Sequence, residues 1–463
     1  MHNHRILLQS CHRVAAGLVA ALLVPALGCL LAAEGRAAQS QPNILVVLAD
    51  DFGWGDVSCY GGKVPTPALD RMAKEGTRFT QYYVASPICS PSRCGIITGQ
   101  QPGKWRITSY LQTRKGNRAC GQEDFLNPAA PSLPRTLKAA GYATAHIGKW
   151  HLGGGRDVTT APKFAAYGYD VGMGTYESPE PHPDITSTNW IWSPQDKVKR
   201  WDRSAWMVDR TLEFMRARTN QPCFVNLWFD DTHTPWVPKE DGAGPSTRKS
   251  YTAVLKEMDR QIGRLLEALR AADSSRPTLV VFFGDNGPLP TFNQERSAGL
   301  RGSKLSLYEG GIRVPCIVWQ PGGVPAGRVD EASVFTAWDL FPTLCAQAGA
   351  GLPRGYVSDG EDFSKAIRGQ SVTRTKPIFW EYGRNTNSFA YPAGANRTPN
   401  IAIRDGKWKL LMNADGTGVE LYNLALDPNE TKNLADAQRE VATSMSTVVL
   451  SWRRSLPAIS TPP

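Results

Sequence analysis

The sequence predicts an α/β fold: a large, mostly parallel sheet with helices on both faces, followed by a smaller antiparallel sheet. Over residues 41–370, apolar β-rich runs alternate with amphipathic helical runs, the pattern of a largely parallel sheet covered by helices. After residue 370, short strand-like runs follow one another with tight turns between them, which is typical of an antiparallel sheet. The composition of the 463 residues, 41% hydrophobic and 20% charged, excludes collagen-like, coiled-coil and disordered chains.

The first region, 41–370, is interpreted as the main α/β domain because strands and helices alternate along it. The pattern predicts strands over residues 43–48, 143–147, 223–229, 278–283 and 314–319. It predicts helices over residues 67–74, 134–140, 204–218 and 251–272, with a helix-like segment over 334–349. We find no internal repeat.

The second region, 371–463, is interpreted as a C-terminal α+β subdomain. Short strands are predicted over residues 378–382, 401–404, 408–412 and 419–422, with turns at Asp405-Gly406 and Asp415-Gly416. An amphipathic run over 440–453 predicts a terminal helix that packs on this sheet.

The first 38 residues are interpreted as a secretory signal peptide. Arg5 and Arg13 make a basic start, residues 14–33 carry no charge, and the small residues Ala37 and Ala38 follow; this is the order of a signal sequence. The alternatives are an uncleaved signal anchor and a lipoprotein attached at Cys29. Beyond this segment no stretch is long and apolar enough to span a membrane, so we expect an exported protein, periplasmic or secreted, with no integral membrane span after cleavage.

The charge of the chain favours anionic partners. Removal of residues 1–38 lowers the formal net charge from +10 to +8, and a basic surface attracts anions; a solvated basic surface without function is the alternative. No arginine-rich run or nucleic-acid motif is present, so no nucleic-acid partner is expected. Seven of the nine cysteines follow residue 38, an odd number that leaves at least one without an intrachain partner.

Acidic and amide side chains follow two of the predicted strands. Asp50 and Asp51 come directly after the first strand, and Asp285 and Asn286 directly after the strand over 278–283. In an open parallel sheet, ligands bind beyond the carboxyl ends of the strands. Three carboxylates placed together there would repel one another without a cation, and oxygen-only ligation suits Ca²⁺ or Mg²⁺. The alternative is that each pair caps the turn or helix that follows it.

A second candidate site combines Cys89 with Arg93 in a proline-containing loop. A nearby arginine is expected to lower the pKa of the Cys89 thiol and could bind an oxyanion. Cys89 could instead form a local disulfide with Cys94, or act as a thiol nucleophile with a histidine base. A phosphatase loop is excluded, because it requires an arginine six positions after the cysteine and Gly95 stands there.

Several motifs together resemble the formylglycine-dependent (type I) sulfatases, arylsulfatase-like members of the alkaline-phosphatase-like superfamily. The resemblance covers about residues 41–440, with Ser303 as one departure where relatives often carry glycine. It rests on Cys89-Ser-Pro-Ser-Arg93 continued to Gly99, Gly148-Lys-Trp-His-Leu-Gly153, Leu300 to Lys304 running into Glu309 to Pro315, Asp339 to Thr343, and Leu421 to Leu434.

The resemblance implies a ligand set and a modified residue. It implies that Cys89 is converted to Cα-formylglycine (3-oxoalanine) by a formylglycine-generating enzyme. The modified Cys89 would then join Asp50, Asp51, Asp285 and Asn286 in holding a divalent cation, usually Ca²⁺, with Mg²⁺ possible.

The resemblance also implies catalytic roles. Arg93 and Lys149 would hold the formylglycine hydrate and balance the sulfate charge. His151 would be the base for the hydrate, while His233 and Lys304 would contact the sulfate and assist the leaving oxygen.

The sequence therefore predicts a sulfuric ester hydrolase that acts on sulfated carbohydrates. The alternatives are a phosphoester hydrolase of the same superfamily, a noncatalytic secreted carbohydrate-binding descendant, and a thiol hydrolase. Of the other histidines, His146 is expected in the core and His182 at the surface. A group of tryptophans could stack on sugar rings or simply pack: Trp190, Trp192, Trp201 and Trp206.

Overall fold

The structure, a computed structural model, describes residues 41–188, 191–241, 244–272, 276–383 and 394–458. The strands are β1 Asn43–Ala49, β2 Thr77–Phe79, β3 Tyr82–Tyr83, β4 Ala143–Gly148, β5 Val171–Gly174, β6 Cys223–Trp228, β7 Thr278–Gly284, β8 Cys316–Trp319, β9 Arg328–Asp330, β10 Phe335–Thr336, β11 Ile378–Glu381, β12 Ile401–Asp405, β13 Trp408–Met412 and β14 Glu420–Asn423. The α-helices are α1 Pro67–Glu75, α2 Cys89–Thr98, α3 Arg114–Ala119, α4 Leu133–Ala139, α5 Arg203–Arg216, α6 Arg248–Ala271, α7 Glu309–Ile312, α8 Leu340–Gln347, α9 Ser364–Ile367 and α10 Arg439–Ser455.

The main sheet has eight strands in the order β5-β4-β6-β1-β7-β8-β2-β9. Strand β8 runs antiparallel to its neighbours β7 and β2, and the other pairs are parallel. The mixed, mostly parallel sheet predicted from the sequence is therefore confirmed.

Both faces of this sheet are buried, because alternate residues of β1 enter two different hydrophobic clusters. Val46 and Leu48 pack with residues of α2, α4 and α8 on one face. Leu45 and Val47 pack with residues of α1, α5 and α6 on the other. Strands covered on both sides are uniformly apolar, which is why β1 reads as a continuous apolar run.

The register of the central strands brings several strand ends to one edge of the sheet. Ala49 at the end of β1 pairs with Gly284 at the end of β7, so Asp50 and Asp285 leave the sheet side by side. Gly148, the last residue of β4, pairs with Trp228 of β6. The segments that carry the predicted site residues thus start from the same edge.

The C-terminal sheet is a four-stranded antiparallel sheet in the order β11-β12-β13-β14, as predicted. Helix α10 packs on it, with Met445 and Val449 against Ile403 and Leu410. A buried Lys409 in β13 lies 2.9 Å from Glu309 and 2.8 Å from Glu430, and Glu309 belongs to α7. The domain boundary near residue 370 stays a prediction.

Two local predictions are wrong. The Cys89–Arg93 segment is the start of helix α2 rather than a loop. Pro91 is compatible with that helix because it lies in the first turn, where backbone N–H groups have no intrahelical acceptor. The segment over 334–349 is helical only from residue 337, because Phe335 and Thr336 pair with Tyr82 and Tyr83.

The predicted signal peptide, with the alternative at Cys29, lies outside the described residues. Within the part of the chain that the structure describes, no helix has the length and apolarity to cross a bilayer. The seven cysteines after residue 38 are all free thiols, so the alternative of a Cys89–Cys94 disulfide is wrong.

Candidate active site

The edge of the sheet beyond β1 and β7 carries a buried carboxylate cluster. Oxygens of Asp50, Asp51 and Asp285 lie within 4.8 Å of one another, and all three residues have 0% exposure. Asn286 joins them, because its Nδ2 donates to Asp51 Oδ1 at 2.9 Å. Four of the five residues predicted as metal ligands are thus brought together, and the fifth is Cys89.

The donor set fits a hard divalent cation. Asp50 Oδ1 and Asn286 Oδ1 are buried acceptors without a hydrogen-bond donor, although buried acceptors are normally satisfied. Every candidate side-chain donor of the cluster is an oxygen, the type that Ca²⁺ and Mg²⁺ prefer. Unsatisfied oxygens and clustered carboxylates together are what a cation at this position would require.

The carboxylates of the cluster titrate differently. Burial opposes ionisation of Asp50, but Lys149, His233 and Arg93 together hold its pKa well below the ordinary value. For Asp285, burial and the negative charge of Asp50 raise the pKa to about 8 in the protein without a cation. Carboxylates that share a site compete for ionisation, and a bound cation would remove that competition.

Three cations surround the carboxylates. Arg93 Nε and Nη2 donate to Asp285 Oδ2 at 3.0 and 2.8 Å. Lys149 Nζ donates to Asp50 Oδ2, and Lys304 Nζ lies 2.6 Å from Asp51 Oδ1. Each cation therefore orients one carboxylate, and the three positive charges largely balance the three carboxylates.

Cys89 is the first residue of helix α2 and is 2% exposed. Burial raises the pKa of its thiol, despite the opposing charges of Lys149, Lys304 and Arg93. Arg93 does lower the pKa of the thiol, as expected, but the desolvation of a buried thiolate outweighs Arg93 and the two lysines, so the net pKa is raised. The raised pKa weighs against a thiolate nucleophile.

His151 is held with one nitrogen free. Its Nε2 lies 3.0 Å from the Leu111 carbonyl oxygen and 3.2 Å from Glu177 Oε2. Both neighbours are acceptors, so we assign the proton to Nε2, and Nδ1 is then a buried acceptor without a donor. Burial lowers the pKa of His151 to about 4, against the raising effect of Glu177. The imidazole is therefore neutral near pH 7.

His233 is the most accessible of the predicted catalytic side chains, with 23% exposure. Its Nδ1 lies 2.6 Å from the Thr234 carbonyl oxygen, so Nδ1 carries a proton, and Nε2 lies 3.7 Å from Asp51 Oδ2. Burial and the charge of Lys149 lower its pKa to about 4. His233 lines a narrow pocket together with Lys149 and Asp230.

Two positioning residues were missed from the sequence because no motif marks them. Arg296 Nη2 donates to the Asp51 carbonyl oxygen at 2.6 Å and to Thr232 Oγ1 at 2.9 Å. Its guanidinium is fixed by Asp56 through bonds of 2.8 Å. It thereby supports Asp51, whose φ of 55° lies in the left-handed region. Glu177, which orients His151, is the second.

Asp230 was missed although a sequence signal was present. Asp230 and Asp231 follow Phe229 at the end of the β6 run, as Asp50 and Asp51 follow β1. Asp230 Oδ2 accepts from Arg203 at 2.7 Å and pairs with Arg200, while its Oδ1 is buried without a donor. It completes one wall of the His233 pocket.

Among the remaining predictions for histidines and tryptophans, one is confirmed and one is wrong. His146 is buried among aromatic rings, as predicted, with its ring 5.0 Å from that of Trp228. His182 is partly buried rather than superficial, because its ring packs 4.9 Å from that of Trp206. Trp206 is a packing residue, Trp192 and Trp201 are partly buried, and Trp190 lies outside the described residues.

Comparisons with known proteins agree with this fold. The Sulfatase family model matches residues 42–350, and the model "N-sulphoglucosamine sulphohydrolase, C-terminal" matches residues 303–454. The chain is 28% identical to an N-acetylgalactosamine-6-O-sulfatase of Bacteroides thetaiotaomicron, over 89% of this chain and 93% of that protein. It is 33% identical to an N-acetylgalactosamine-6-sulfatase of Canis lupus familiaris, over 75% of this chain and 69% of that protein.

A solved structure supports the same conclusion. The crystal structure of Ps i-CgsB in complex with k-i-k-neocarrahexaose superposes with a TM-score of 0.73 at 25% identity, covering 91% of this chain and 94% of that one. Fold, site and relatives together define a sulfuric ester hydrolase. The chain belongs to the type I sulfatase family, and the resemblance seen in its motifs is confirmed.

Proposed function

We propose that the chain hydrolyses the sulfate esters of sulfated carbohydrates through Cys89 converted to Cα-formylglycine and through a divalent cation, Ca²⁺ or Mg²⁺. The observation that carries the proposal is the cluster of three buried carboxylates with its unsatisfied oxygens, bordered by Arg93, Lys149 and Lys304. Such a combination is suited to an anionic ester, whose reaction is controlled by charge.

The proposed ligands of the cation are Asp50, Asp51, Asp285, Asn286 and the modified Cys89. When bound, the cation would supply positive charge opposite the sulfate oxygens. Arg93, Lys149 and Lys304 supply further fixed charge, and they are already oriented by their carboxylate partners. Charges fixed before substrate binds need no reorganisation during the reaction.

The formylglycine hydrate would supply two hydroxyl groups on one carbon, one to attack sulfur and one whose deprotonation releases sulfate. His151 is suited to accept that proton at Nδ1, because Nε2 is engaged with Leu111 and Glu177. A low pKa keeps Nδ1 unprotonated at neutral pH. Generation of the aldehyde requires a formylglycine-generating enzyme as a partner.

The leaving alcohol needs a proton when it is a sugar hydroxyl. His233 Nε2 and Lys304 Nζ lie 3.7 and 2.6 Å from carboxylate oxygens of Asp51, and both residues are proposed to contact the sulfate and assist that oxygen. A bound sulfate would raise the pKa of His233 from about 4, because an adjacent negative charge favours the protonated ring.

The carbohydrate substrate is supported by the named relatives and by charge. Two relatives are named as sulfatases of N-acetylgalactosamine, and one solved relative is in complex with an oligosaccharide. Cleavage of residues 1–38, if it occurs as proposed, leaves a net charge of +8, which attracts polyanions. Export to the periplasm or beyond would bring the enzyme to such substrates.

The test combines mass spectrometry with a substrate panel. The peptide that contains Cys89 should lack sulfur and react with a hydrazide, and purified enzyme should release sulfate from at least one sulfated saccharide but not phosphate from an aryl phosphate. Cys89→Ala should abolish turnover, whereas Cys345→Ala, a buried cysteine of α8, should retain it. Full activity with an intact Cys89 thiol would refute the mechanism.

A further inference from the structure

A second basic pocket lies outside the sulfatase site, between the ends of β2 and β9 and the turn that joins β12 to β13. Its volume of about 560 Å³ is within the range of pockets that bind small ligands. It is lined by the cationic residues Arg313, Arg374, Lys376, Arg404 and Lys407 and by the acidic residues Glu331 and Asp405. The lining therefore carries a net positive charge.

Arg404 is the central residue of this pocket. It is 5% exposed, its Nη2 donates to Gln81 Oε1, and its Nε donates to the Gly406 carbonyl oxygen at 3.2 Å. Neither acceptor carries a charge, and Nη1 is buried without any acceptor. A buried donor without an acceptor is costly, and a guanidinium readily donates to the oxygens of an anionic group.

The other cations differ in how far they are neutralised. Arg374 donates to both oxygens of Asp339, at 2.7 and 2.8 Å, so its charge is balanced. Lys376 Nζ donates only to backbone carbonyl oxygens, and Lys407 lies over the Trp408 ring at 5.5 Å. Among the residues that the structure describes, Lys376, Arg404 and Lys407 have no carboxylate within ion-pair distance. Arg313, in contrast, lies 3.5 Å from Glu309. The three cations without such a partner exceed the two acidic lining residues, Glu331 and Asp405, so the pocket keeps a net positive charge.

The pocket lies on the same edge of the main sheet as the sulfatase site. Strands β7 and β2 both run antiparallel to β8, and β9 runs parallel to β2. The residues after β2 and β9 therefore leave the sheet on the side where Asp285 follows β7. Adjacent strands are spaced by about 4.8 Å, so β9 lies about 14 Å from β7, which precedes Asp285, and about 24 Å from β6, which precedes His233. An oligosaccharide of several sugars spans such a distance.

We propose that this pocket binds an oxyanion group, sulfate or carboxylate, of the polyanionic saccharide whose sulfate ester is hydrolysed at the other site. The choice of a saccharide rests on the proposed function, whereas the preference for an anion rests on Arg404 and its neighbours. Such a contact would lower KM for long substrates without changing the chemical step on small ones.

Binding of three polymers tests the proposal: dextran sulfate, carboxymethyl dextran and unmodified dextran, measured by calorimetry at fixed ionic strength. Lys407→Glu changes an exposed pocket residue, and Lys74→Glu makes the same charge change on the exposed side of α1. We expect Lys407→Glu to weaken binding of a charged polymer severalfold more than Lys74→Glu does. Arg404→Gln should weaken it about tenfold, the effect of losing a charge-assisted hydrogen bond. Turnover of an aryl sulfate should be unchanged in all three variants.

The outcomes separate the two proposals. Selective loss of dextran sulfate binding identifies a sulfate site, and selective loss of carboxymethyl dextran binding a carboxylate site. Equal losses of polymer binding in Lys407→Glu and Lys74→Glu, or no loss in either, would overturn the proposal that the pocket binds an anion. This holds even if Arg404→Gln fails to fold. If the enzyme hydrolyses saccharides but Lys407→Glu leaves polymer binding unchanged, the anion-binding role of the pocket is wrong and the proposed function stands. If Lys407→Glu selectively loses binding of a charged polymer but the enzyme hydrolyses no saccharide, the anion site is supported and the assignment of a saccharide substrate is wrong.

Discussion

At the scale of single residues, the site is organised by unequal carboxylates. The pKa values of Asp50 and Asp51 are lowered by the lysines and the histidine that face them. Asp285 is paired with Arg93, yet burial and its acidic neighbour raise its pKa to about 8. Three carboxylates and three cations nearly balance one another, so a divalent cation would add the positive charge that an incoming sulfate ester requires.

Removal of the cation should lower activity and stability together. A ligand present at one hundred times its Kd stabilises the folded state by about 2.7 kcal/mol, and its loss restores repulsion among Asp50, Asp51 and Asp285. We expect chelated enzyme to be inactive with a lowered Tm, and added Ca²⁺ to restore both. Elemental analysis must confirm that the protein is metal-free. Full activity of that protein would show the cation assignment to be wrong.

His151 should act after the first bond is broken. If Nδ1 accepts the proton whose removal releases sulfate, His151→Ala should slow sulfate release by 10²–10⁴-fold, the usual contribution of a general base. With an activated aryl sulfate, rapid mixing should then show one phenolate released per active site, followed by slow turnover. His182→Ala, which removes a histidine outside the site, should show no burst. A burst phase slowed as much as the steady state would count against this role.

The acidic limb of the pH profile should move when Glu177 is neutralised. The folded pKa of His151, about 4, lies below the ordinary value of 6.5, so the ring stays neutral as pH falls through that interval. The unfolded chain binds the proton first, and stability is therefore lost between about pH 6.5 and pH 4. Glu177 raises the pKa of His151, so Glu177→Gln should shift the acidic limb of kcat/KM to lower pH. An upward shift would contradict the assignment.

At the scale of elements, helix α2 determines where Cys89 lies. The helix runs from Cys89 to Thr98 and is capped by Gly99, whose φ of 62° is left-handed and whose N–H donates to the Gly95 carbonyl oxygen at 2.9 Å. A Cβ at Gly99 would lie 2.6 Å from Phe341 Cβ and still closer to the Tyr356 hydroxyl. The helix end is thus fixed by both backbone conformation and packing.

Gly99→Ala should destabilise the protein more than Gly141→Ala. Both glycines have positive φ, but a Cβ at Gly141 would meet no atom within 4 Å. The left-handed conformation alone costs about 1–2 kcal/mol for alanine, and overpacking at Gly99 adds about 1–3 kcal/mol. Urea unfolding of the two variants measures the difference. Equal destabilisation would mean that the contacts at Gly99 do not constrain the helix.

The elements also show what sequence patterns can predict. The long strands β1, β4, β6 and β7 were predicted within one or two residues, because fully buried strands are continuously apolar. Strands such as β3, with two residues, are too short to have a period. Helix α2 was missed because Pro91 indicates a loop unless its place in the first turn is known. Because these strands are recognisable, the polar pairs after β1 and β7 were found, although the pair after β6 was missed. Arg296 and Glu177 reach the site through contacts that only tertiary structure defines.

At the scale of the whole molecule, a buried charge network links the C-terminal sheet to helix α7. Lys409 of β13 lies between Glu309 and Glu430, and all three side chains have 0% exposure. Burial raises the pKa of Glu430 to about 7, against the attraction of Lys409. A buried ion pair contributes little net stability, but it is strongly destabilising to break. The network therefore fixes the C-terminal sheet against α7, close to the loop that carries Lys304.

The net charge of the molecule gives a prediction about substrate and salt. Charges outside the site attract a polyanion over long range, and this attraction is screened as the Debye length falls from about 10 Å at 0.1 M to about 3 Å at 1 M ionic strength. Charges within the buried site, such as Lys149 at 5% exposure, are screened much less. We therefore expect kcat/KM for a sulfated oligosaccharide to exceed that for an aryl sulfate at low salt and to fall more steeply as salt rises. Steady-state kinetics on both substrates across this range provides the measurement, with sodium chloride as the salt because sulfate would compete at the site. Parallel salt responses would show that remote charge does not steer the substrate. Efficient hydrolysis of aryl or steroid sulfates, with no turnover across a broad glycan panel, would refute the assignment of a carbohydrate substrate. The assignment as a sulfuric ester hydrolase would stand.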